Sequence, residues 1–345
     1  MTILTDTLQI RVALPVLFYS YPIKELFLMT VNHMQDNDKR PITGVFEDSS
    51  SLLEHPDQLR ERAEEDGLLF FRGLLSRDRV MALRLDIMEI LGRSGVMNNQ
   101  FPLQAGLADV EAVNQYTADE LQWNGVGVTR DMYLAIQKLE SFHALAHSPE
   151  LISMYEALFG AAPFIHPRHI GRIMLPHHSS KITPSHQDFL HIQGASNTWT
   201  CWTPLGDVPY ELGGLAILRG SHKAGLLGVT EAPGAGGLES ILCGLDYEWL
   251  SIDYEAGDIV TFHSHTVHKS MPNQLPGRIR VSCDYRYQPE QEDIEAASLL
   301  PHGPYTWEEL YEDWQRGDLQ YYWKSRKLAL SSFDESIRWQ KDKIC

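Results

Sequence analysis

From about residue 163 onward the chain is divided into short runs of β-branched and aromatic residues separated by turn residues. Many short strands of this kind favour a sandwich or jelly roll over a parallel α/β sheet. Polar and apolar residues alternate through Arg278–Tyr287, so a strand there has one polar and one apolar face. The polar face either meets solvent or lines a ligand cavity inside a barrel. The other predicted strands are His169–Leu175, Thr198–Pro204, Leu215–Leu218 and Asp258–His263.

The first half of the chain is predicted to be mostly helical. Arg77–Leu91 carries apolar residues at helical spacing, and Gly92 is a plausible C-terminal stop. Ser148 and Pro149 predict the start of a second helix, capped by the serine hydroxyl and ending at Gly160. The tail from Thr306 is also predicted to be helical, with aromatic residues that pack against a core rather than hold a cofactor.

The predicted organisation is a single catalytic domain over residues 46–345, with its β core at about 160–290 and helices before and after. Residues 1–45 are predicted to be a peripheral extension, and Met29 and Met34 leave open whether residues 1–33 belong to the native protein. The apolar stretch at 13–30 is broken by two prolines and a Lys-Glu pair. It therefore falls short of the roughly 18–20 apolar residues that a spanning helix needs, and no membrane anchor is expected.

Charge and cysteine content limit the partners and the compartment. A formal net charge of −17 argues against nucleic acid or an anionic membrane surface as partner, although a local pocket can still be positive. Four scattered cysteines suggest neither a disulfide framework nor a zinc site, so a reducing cytoplasm is expected. The expected partner is a small molecule, and the sequence predicts no particular oligomeric state.

His186, Asp188 and the later His268 form a candidate metal site. On an extended segment His186 and Asp188 point the same way and can reach one ion. Two imidazoles and one carboxylate occupy one face of an octahedral metal, which is the arrangement of non-haem Fe(II) oxygenases. By itself the spacing is a weak signal, since the chain holds 15 histidines and most of them are expected to be surface or hydrogen-bonded residues.

The sequence around these residues makes the signal specific. The segments 184–194, 213–222, 257–263 and 268–273 occur in that order and are followed by Arg278. Together they resemble the phytanoyl-CoA dioxygenase family of Fe(II)/2-oxoglutarate oxygenases, over about residues 160–290. The resemblance implies a mainly β protein with helical decoration, folded as a double-stranded β-helix of the cupin-like jelly-roll type. It also implies that His186, Asp188 and His268 are the iron ligands.

The same resemblance implies a site for the cosubstrate 2-oxoglutarate, used together with Fe(II) and O2. The distal carboxylate of 2-oxoglutarate needs a fixed cation, and an arginine bonds a carboxylate bidentately. Arg278 matches the family's Arg-x-x-x-Ser pattern, and Arg280, on the same strand face, is the alternative. Ser270 matches a hydroxyl that helps to hold this carboxylate. Trp202 matches a tryptophan of the cosubstrate pocket, with plain core packing as its other interpretation.

The implied reaction is hydroxylation, desaturation or ring formation on a small-molecule metabolite, such as a natural-product or amino-acid-derived intermediate. Related halogenases lack the metal-binding carboxylate, so Asp188 argues against halogenation. Two alternatives stay open: a cupin-like metal enzyme that does not use 2-oxoglutarate, and a non-catalytic ligand-binding relative. The loop at 226–247 and the aromatic tail are the candidate lid elements. The glycine-rich part of this loop, Glu231–Leu238, lacks a phosphate-binding pattern.

Overall fold

The computed structural model describes residues 40–242 and 244–339. Most of its helices precede the β core, and one follows it. The described helices are α1 (Pro56–Asp66), α2 (Arg77–Arg93), α3 (Val110–Val113), α4 (Ala118–Leu121), α5 (Arg130–Gln137), α6 (Glu140–Ala146), α7 (Pro149–Phe159) and α8 (Trp307–Leu310).

Most of the described strands lie in the second half of the chain, as predicted. One of them, β1, comes from the helical first half and joins the same sheet. The described strands are β1 (Leu68–Phe71), β2 (Pro163–Ile165), β3 (Ile170–Met174), β4 (Trp199–Pro204), β5 (Leu215–Leu218), β6 (Val229–Glu231), β7 (Leu238–Ser240), β8 (Trp249–Leu250), β9 (Ile259–His263), β10 (His268–Ser270), β11 (Arg280–Pro289), β12 (Ile294–Glu295) and β13 (Leu330–Ser331).

Two antiparallel sheets form the double-stranded β-helix. The larger sheet has the order β1-β9-β4-β11-β2, and β3 also pairs with β11. The smaller sheet has the order β10-β5-β8. Apolar residues from both sheets, among them Trp202, Leu215 and Phe262, form one buried cluster between them. Neighbouring strands within these two sheets are not consecutive in the sequence, so residues far apart in the sequence meet between the sheets.

Strand β11 has two different faces, as its alternating sequence predicted. Val281, Cys283, Tyr285 and Tyr287 belong to the large apolar cluster that includes the helices. The opposite face carries Arg280, Ser282, Asp284 and Arg286, all of them buried. Of the two possibilities for this polar face, the structure therefore shows an interior surface rather than a solvent-facing one.

The two predicted helices are confirmed, but two of their predicted ends are wrong: α2 continues past Gly92 to Arg93, and the predicted cap at Ser148 is absent. Helix α2 begins at Arg77 and α7 begins at Pro149, and α7 ends against Gly160 in the left-handed region. The hydroxyl of Ser148 makes no cap to the first turn of α7. It donates instead to the carbonyl of Leu145 at 2.6 Å and accepts from Arg79 at 2.8 Å. A long-range arginine and a local carbonyl thus replace the capping bond.

The tail after Thr306 is α-helical only over α8, so the prediction of a continuous helix is wrong. The chain continues as short 3-10 helices (Gly317–Leu319 and Tyr322–Ser325), and Tyr321 between them lies in the left-handed region (φ 51°), which interrupts a helix. The aromatic rings stack on one another, with 4.5 Å between the ring centroids of Tyr311 and Trp314. The indole nitrogen of Trp314 donates to the carbonyl of Lys138 at 2.8 Å. Aromatic packing against α5 and its surroundings therefore determines this conformation, and the predicted packing role is confirmed.

The predicted extension lies almost wholly outside the described residues, and the boundary at residue 45 stays a prediction. The nitrogen of Gly44 donates to the carbonyl of Trp249 at 3.3 Å, and Phe46 packs in the cluster between the sheets.

Within residues 40–242 and 244–339, every helix is too short or too polar to cross a membrane. Cys201 and Cys283 are free and buried, and the other two cysteines lie outside the described residues.

Candidate metal centre

The backbones of His186 and His268 pair directly, although the two residues are far apart in the sequence. Each backbone nitrogen donates to the carbonyl of the other residue at 3.0 Å, forming an antiparallel bridge at the edge of the smaller sheet. Residues paired in this way present their side chains on the same face. The two imidazole rings therefore lie side by side, with 4.2 Å between their centroids.

Asp188 completes the group. It begins a short 3-10 helix, Asp188–Leu190, which turns the chain just after the bridge. Its Oδ1 lies 3.6 Å from Nε2 of His186 and 3.7 Å from Nε2 of His268. Ligand atoms of all three residues lie within 4.8 Å of one another, and all three residues are buried. The structure thus brings the three predicted ligands together.

The protonation states of this triad fit a divalent metal. Nδ1 of His186 lies 2.8 Å from the carbonyl of Pro184, and Nδ1 of His268 lies 3.0 Å from that of Thr266. Because each Nδ1 donates its proton to a carbonyl, each Nε2 keeps its lone pair for a metal. Burial, with the neighbouring His186, lowers the pKa of His268 to about 3, so this imidazole is neutral at neutral pH.

The carboxylate is ionised under the same conditions. Burial acts to raise the pKa of Asp188, but the positive charge of the neighbouring Arg286 outweighs it, and the pKa lies well below its ordinary value. Two neutral imidazoles and one carboxylate suit iron and other first-row divalent metals, and they leave the opposite side of the metal open. The residues present therefore fit an Fe(II) site.

The second oxygen of Asp188 is held by two residues that sequence reasoning missed. Oδ2 accepts a hydrogen bond from the hydroxyl of Thr200 on β4, and Nη2 of Arg286 lies 3.5 Å away. Thr200 and Arg286 are direct partners in the β4–β11 register. With Oδ2 engaged, Oδ1 is the oxygen left facing the imidazoles. The alternating polar face of β11 was the available signal for Arg286, while nothing local marks Thr200.

Gln187, between two of the ligands, anchors the segment from its other side. Its Nε2 donates to the carbonyls of Gly225 at 2.8 Å and His265 at 2.6 Å, and its Oε1 accepts from the nitrogen of Leu227 at 2.8 Å. The side chain is fully buried. These three bonds fix the backbone of the ligand segment, so the orientation of the triad does not depend on the triad alone.

A small cavity surrounds the triad and contains two of the predicted cosubstrate residues. Ser270 and Trp202 line it, and Trp202 packs against Tyr254 at 4.7 Å between ring centroids. This position agrees with both interpretations of Trp202, because the ring touches the core and the cavity at once. The remaining lining residues are Arg172, Thr183, His186, Asp188, Thr200, Leu215, Phe262, His268 and Asp284.

A second, more open cavity adjoins the first. Of the two candidate arginines, Arg280 lines this cavity and Arg278 does not. Arg172, Thr183 and Ser270 line both cavities, and Arg280 lines the second. Nη1 of the buried Arg280 donates to the carbonyl of Gly213 at 2.8 Å, and its Nε has no hydrogen-bond partner among the described residues. Arg278, half-buried just before β11, forms a backbone bridge with Leu107 and is not among the described lining residues of either cavity.

Arg172, which lines both cavities, forms an ion pair with Asp284, which lines the metal cavity. Nε of Arg172 donates to Oδ2 of Asp284 at 2.6 Å, and Nη1 donates to the carbonyl of Gly125 at 3.1 Å. The pair joins β3 to β11, next to the metal triad. Sequence reasoning did not single out either residue, because their contact depends on strand pairing.

The candidate lid at 226–247 contains a hairpin of β6 and β7. Its tip residues, Gly234 and Ala235, line the open cavity. The tip approaches the facing segment so closely that a Cβ at Gly125 would lie 2.5 Å from Cβ of Ala235. The hairpin also joins the ligand segment, since the nitrogen of Ser240 donates to the carbonyl of Ser185 at 2.7 Å. A role as a lid stays a prediction.

Comparison with known proteins gives consistent matches. The family model described as phytanoyl-CoA dioxygenase (PhyH) matches residues 63–281. The 1-deoxypentalenic acid 11-beta-hydroxylase of Streptomyces exfoliatus is 27% identical over 286 residues, which cover 79% of this chain and 93% of the relative. The peroxisomal phytanoyl-CoA dioxygenase of Homo sapiens is 31% identical over 148 residues, 40% of this chain and 43% of the relative.

Among solved structures, the epimerase SnoN in complex with Fe3+, alpha ketoglutarate and nogalamycin RO is similar to this chain. The two are 18% identical, and the match covers 82% of this chain and 97% of that one with a TM-score of 0.49.

Proposed function

This chain belongs to the phytanoyl-CoA dioxygenase family of non-haem iron and 2-oxoglutarate-dependent oxygenases, and from that premise we propose that it hydroxylates a small-molecule metabolite at a centre held by His186, Asp188 and His268. The observation that carries the assignment of this centre is the buried triad itself. Two Nε2 atoms and one carboxylate oxygen face one point, and each imidazole is fixed in the metal-binding tautomer by a backbone carbonyl.

When bound, the iron supplies the activation of O2 that is coupled to decarboxylation of 2-oxoglutarate to succinate and CO2, and to oxidation of a C–H bond. The protein supplies position and electrostatics. Thr200 and Arg286 engage Oδ2 of Asp188 and so direct Oδ1 toward the metal. Trp202, Leu215 and Phe262 give the cavity an apolar wall that excludes water.

We assign the anchor of the distal 2-oxoglutarate carboxylate to Arg280, with Ser270 as its hydroxyl partner. Both residues line the same cavity, and Ser270 also lines the metal cavity, so Ser270 joins the cavity of the triad to the one that the buried guanidinium of Arg280 lines. Nε of Arg280 has no hydrogen-bond partner among the described residues and is a free donor for a carboxylate, as is Nε of Arg278, so the cavity that Arg280 lines is what favours it. Arg278 is the residue that the family pattern favours, and a direct comparison of the two variants decides between them.

For the prime substrate we propose a natural-product intermediate rather than a coenzyme A ester. Two relatives named as 1-deoxypentalenic acid 11-beta-hydroxylases match 79% of this chain, whereas the phytanoyl-CoA dioxygenases match 34% and 40% of it. The chain also has no cluster of lysines and arginines of the kind that a coenzyme A phosphate requires. The expected cytoplasmic location rests on the scattered cysteines and stays a prediction.

The test is a screen of candidate metabolites with Fe(II) and 2-oxoglutarate that scores substrate-stimulated succinate. The wild-type protein is expected to form succinate in a manner that requires both, and His186→Ala is expected to abolish it. His178→Ala is the matched control, because His178 is exposed and bonds Asn114 instead of the triad. Undiminished succinate formation by His186→Ala, or turnover that does not require 2-oxoglutarate, would contradict the assignment.

A second experiment compares Arg280→Gln with Arg278→Gln. Loss of a charge-assisted bidentate contact is expected to raise the KM for 2-oxoglutarate by about 10- to 100-fold in Arg280→Gln, and to leave it within about threefold in Arg278→Gln. The reverse result would assign the anchor to Arg278 while leaving the reaction class intact.

A further inference from the structure

The open cavity beside the metal cavity has a charge opposite to that of the whole chain. The chain has 46 acidic and 29 basic residues. The described lining of the open cavity nevertheless contains three cations, Arg172, Lys181 and Arg280, and no carboxylate. A cleft lined by one sign of charge raises the local concentration of ligands of the other sign. The open cavity is therefore suited to anions.

Two of these three charges have a counterpart. Under the proposed function, Arg280 binds the distal carboxylate of 2-oxoglutarate. Arg172 pairs with Asp284, with 2.6 Å between Nε and Oδ2. Lys181 is exposed and has no ion-pair partner among the described residues. With 2-oxoglutarate bound, the cavity therefore keeps one positive charge without a counter-charge.

Arg172 is held in place and still has one nitrogen from which to donate. Nε donates to Asp284, and Nη1 donates to the carbonyl of Gly125 at 3.1 Å. The third nitrogen, Nη2, makes no hydrogen bond within the described residues. Among these residues, Arg172 is also the only cation that lines both cavities. A guanidinium that is already fixed loses little conformational entropy when it binds a ligand.

Lys181 lies on the segment that leads to the metal ligands. Thr183, two residues further on, lines both cavities, and its carbonyl accepts from the nitrogen of Ser270 at 3.1 Å. Two residues span at most about 7 Å of chain, and the lysine ammonium stands on a flexible four-carbon stem. The segment therefore carries a mobile cation within a short distance of the junction between the two cavities.

The rest of the open cavity is lined mainly by apolar and small residues. The hairpin tip at Gly234 and Ala235 packs closely on the segment of Lys181, since a Cβ at Gly234 would lie 2.3 Å from the carbonyl oxygen of Ile182. Such walls suit an apolar ligand body. The larger apolar residues of the lining are Leu121, Val126, Ile173, Met174 and Leu175.

We propose that the prime substrate is a monoanion with an apolar body, and that its carboxylate binds in the open cavity to Nη2 of Arg172 and to Lys181. The fixed guanidinium donates to one carboxylate oxygen, and the flexible ammonium supplies the counter-charge. One unmatched charge suits a carboxylate better than a phosphate, which carries about −1.5 to −2 at neutral pH. Because Arg172 lines both cavities, a substrate held there lies next to the metal cavity. The proposal rests on the proposed function and narrows its substrate class.

The test measures binding without turnover. The full chain is loaded with Ni(II), which does not support turnover, and saturated with 2-oxoglutarate so that Arg280 is occupied. Calorimetric titration then compares three acids with their neutral amides: cyclohexanecarboxylate, benzoate and octanoate against cyclohexanecarboxamide, benzamide and octanamide. At least one acid is expected to bind the wild type about tenfold more tightly than its amide.

Variants identify the residues responsible. Arg172→Lys keeps a charge beside Asp284 but removes Nη2, and is expected to reduce the preference for the acid to within about twofold. Lys181→Gln is expected to reduce it to about threefold, because an exposed ion pair is partly screened. Lys223→Gln is the matched control, since Lys223 is also exposed but is not among the described lining residues of either cavity. It is expected to keep the full preference.

Circular dichroism and the Ni(II) affinity show whether each variant is folded and loaded. If Arg172→Lys does not fold, Lys181→Gln at the exposed position decides the outcome.

Three outcomes overturn the proposal. The first is that no acid of the panel binds the wild type more tightly than its amide. The second is that a folded Arg172→Lys or Lys181→Gln variant keeps the full preference, which would place the carboxylate elsewhere. The third is that these variants lose affinity for 2-oxoglutarate instead, which would assign the two cations to the cosubstrate. Failure of the proposed function is a separate result, since it appears as missing 2-oxoglutarate binding or missing succinate in the wild type.

Discussion

The two faces of β11 use neighbouring residues for opposite purposes. On the outer face, the hydroxyls of Tyr285 and Tyr287 donate to helix carbonyls at 2.8 and 2.6 Å, and Tyr287 stacks on Tyr155 with 3.9 Å between ring centroids. On the inner face, Arg280, Ser282 and Arg286 each keep at least one buried polar atom without a partner among the described residues.

The outer face of β11 therefore stabilises the fold, and the inner face forms part of the candidate site. Satisfied hydrogen bonds and stacked rings on the outer face tie the sheet to α6 and α7. Buried polar atoms without protein partners are costly, and they persist in native proteins where a ligand or ion completes them. Inner-face changes are therefore expected to alter mainly binding and turnover, whereas outer-face changes are expected to alter stability.

The largest expected effect is on the inner side of the sheet. Asp188→Ala removes the carboxylate ligand and is expected to reduce substrate-stimulated succinate formation by more than about 1000-fold, since loss of an outer partner alone costs 10–100-fold. The metal-free variant is expected to remain folded by circular dichroism, although it leaves the buried Arg286 without its ion-pair partner and so lowers the free energy of unfolding by about 3 kcal/mol. Near-normal turnover, or a metal-free variant that does not fold, would show that the two faces of β11 do not differ in function.

Acid is expected to act on the outer layer. Burial, opposed in part by the bond to the carbonyl of Gln137, lowers the pKa of His143 to about 3, against an ordinary value of 6.5. The unfolded chain therefore binds a proton between these values while the folded chain does not. Stability is full above pH 6.5 and falls as the pH drops toward 3, by about 4 kcal/mol for this group. His143→Gln is expected to weaken the pH dependence of the free energy of unfolding, measured in urea from pH 7 to 4. An unchanged pH dependence would contradict the role of His143 in the loss of stability in acid.

A smaller inner-face change concerns Thr200. Thr200→Val keeps the shape of the side chain but removes the hydrogen bond to Oδ2 of Asp188. The affinity for Fe(II) or Ni(II) is expected to fall about tenfold, which is typical for loss of a group that orients a ligand. Thr200→Ser restores the hydroxyl and is expected to restore the affinity. A Val variant with wild-type metal affinity and a lower free energy of unfolding would show that Thr200 stabilises the fold and does not orient the metal ligand.

The smallest effect is the outer-face counterpart. Tyr287→Phe removes one hydroxyl and its bond to the carbonyl of Ala146, and is expected to lower the free energy of unfolding by about 1 kcal/mol. Metal affinity and the KM for 2-oxoglutarate are expected to stay at wild-type values. If the Phe variant changed metal affinity as much as Thr200→Val does, the two faces would not be functionally separate.

Periodic patterns in the sequence were enough to predict several main strands and the two faces of β11, because alternation is a property of neighbouring residues. His186, Asp188 and His268 were predicted from the motifs around them and the family that these resemble, and the structure brings the three side chains together. The choice between Arg278 and Arg280 was different, because it depends on where β11 begins and on the bridge that Arg278 makes with Leu107. Which arginine reaches the cavity is decided by pairing with a distant segment.

Contacts across the fold were also beyond local reasoning. Thr200 and Arg286 meet at Asp188 only because β4 and β11 are in a particular register. Gln187 bonds to residues near 225 and 265, which no spacing rule connects to it. In the tail, the sequence suggested a continuous helix. Stacking between the aromatic rings and the left-handed conformation of Tyr321 interrupt it.

The most direct test of the central claim is an anaerobic titration of the metal-free protein with Fe(II) and then 2-oxoglutarate, followed by visible absorption. Chelation of the keto acid by iron in a two-histidine, one-carboxylate site is expected to give a metal-to-ligand charge-transfer band that saturates at one equivalent of each. His268→Ala is expected to lose the band, and Arg280→Gln to need more 2-oxoglutarate to reach it. A wild-type protein that binds Fe(II) but shows no band with 2-oxoglutarate, or a band that His268→Ala leaves unchanged, would contradict the account.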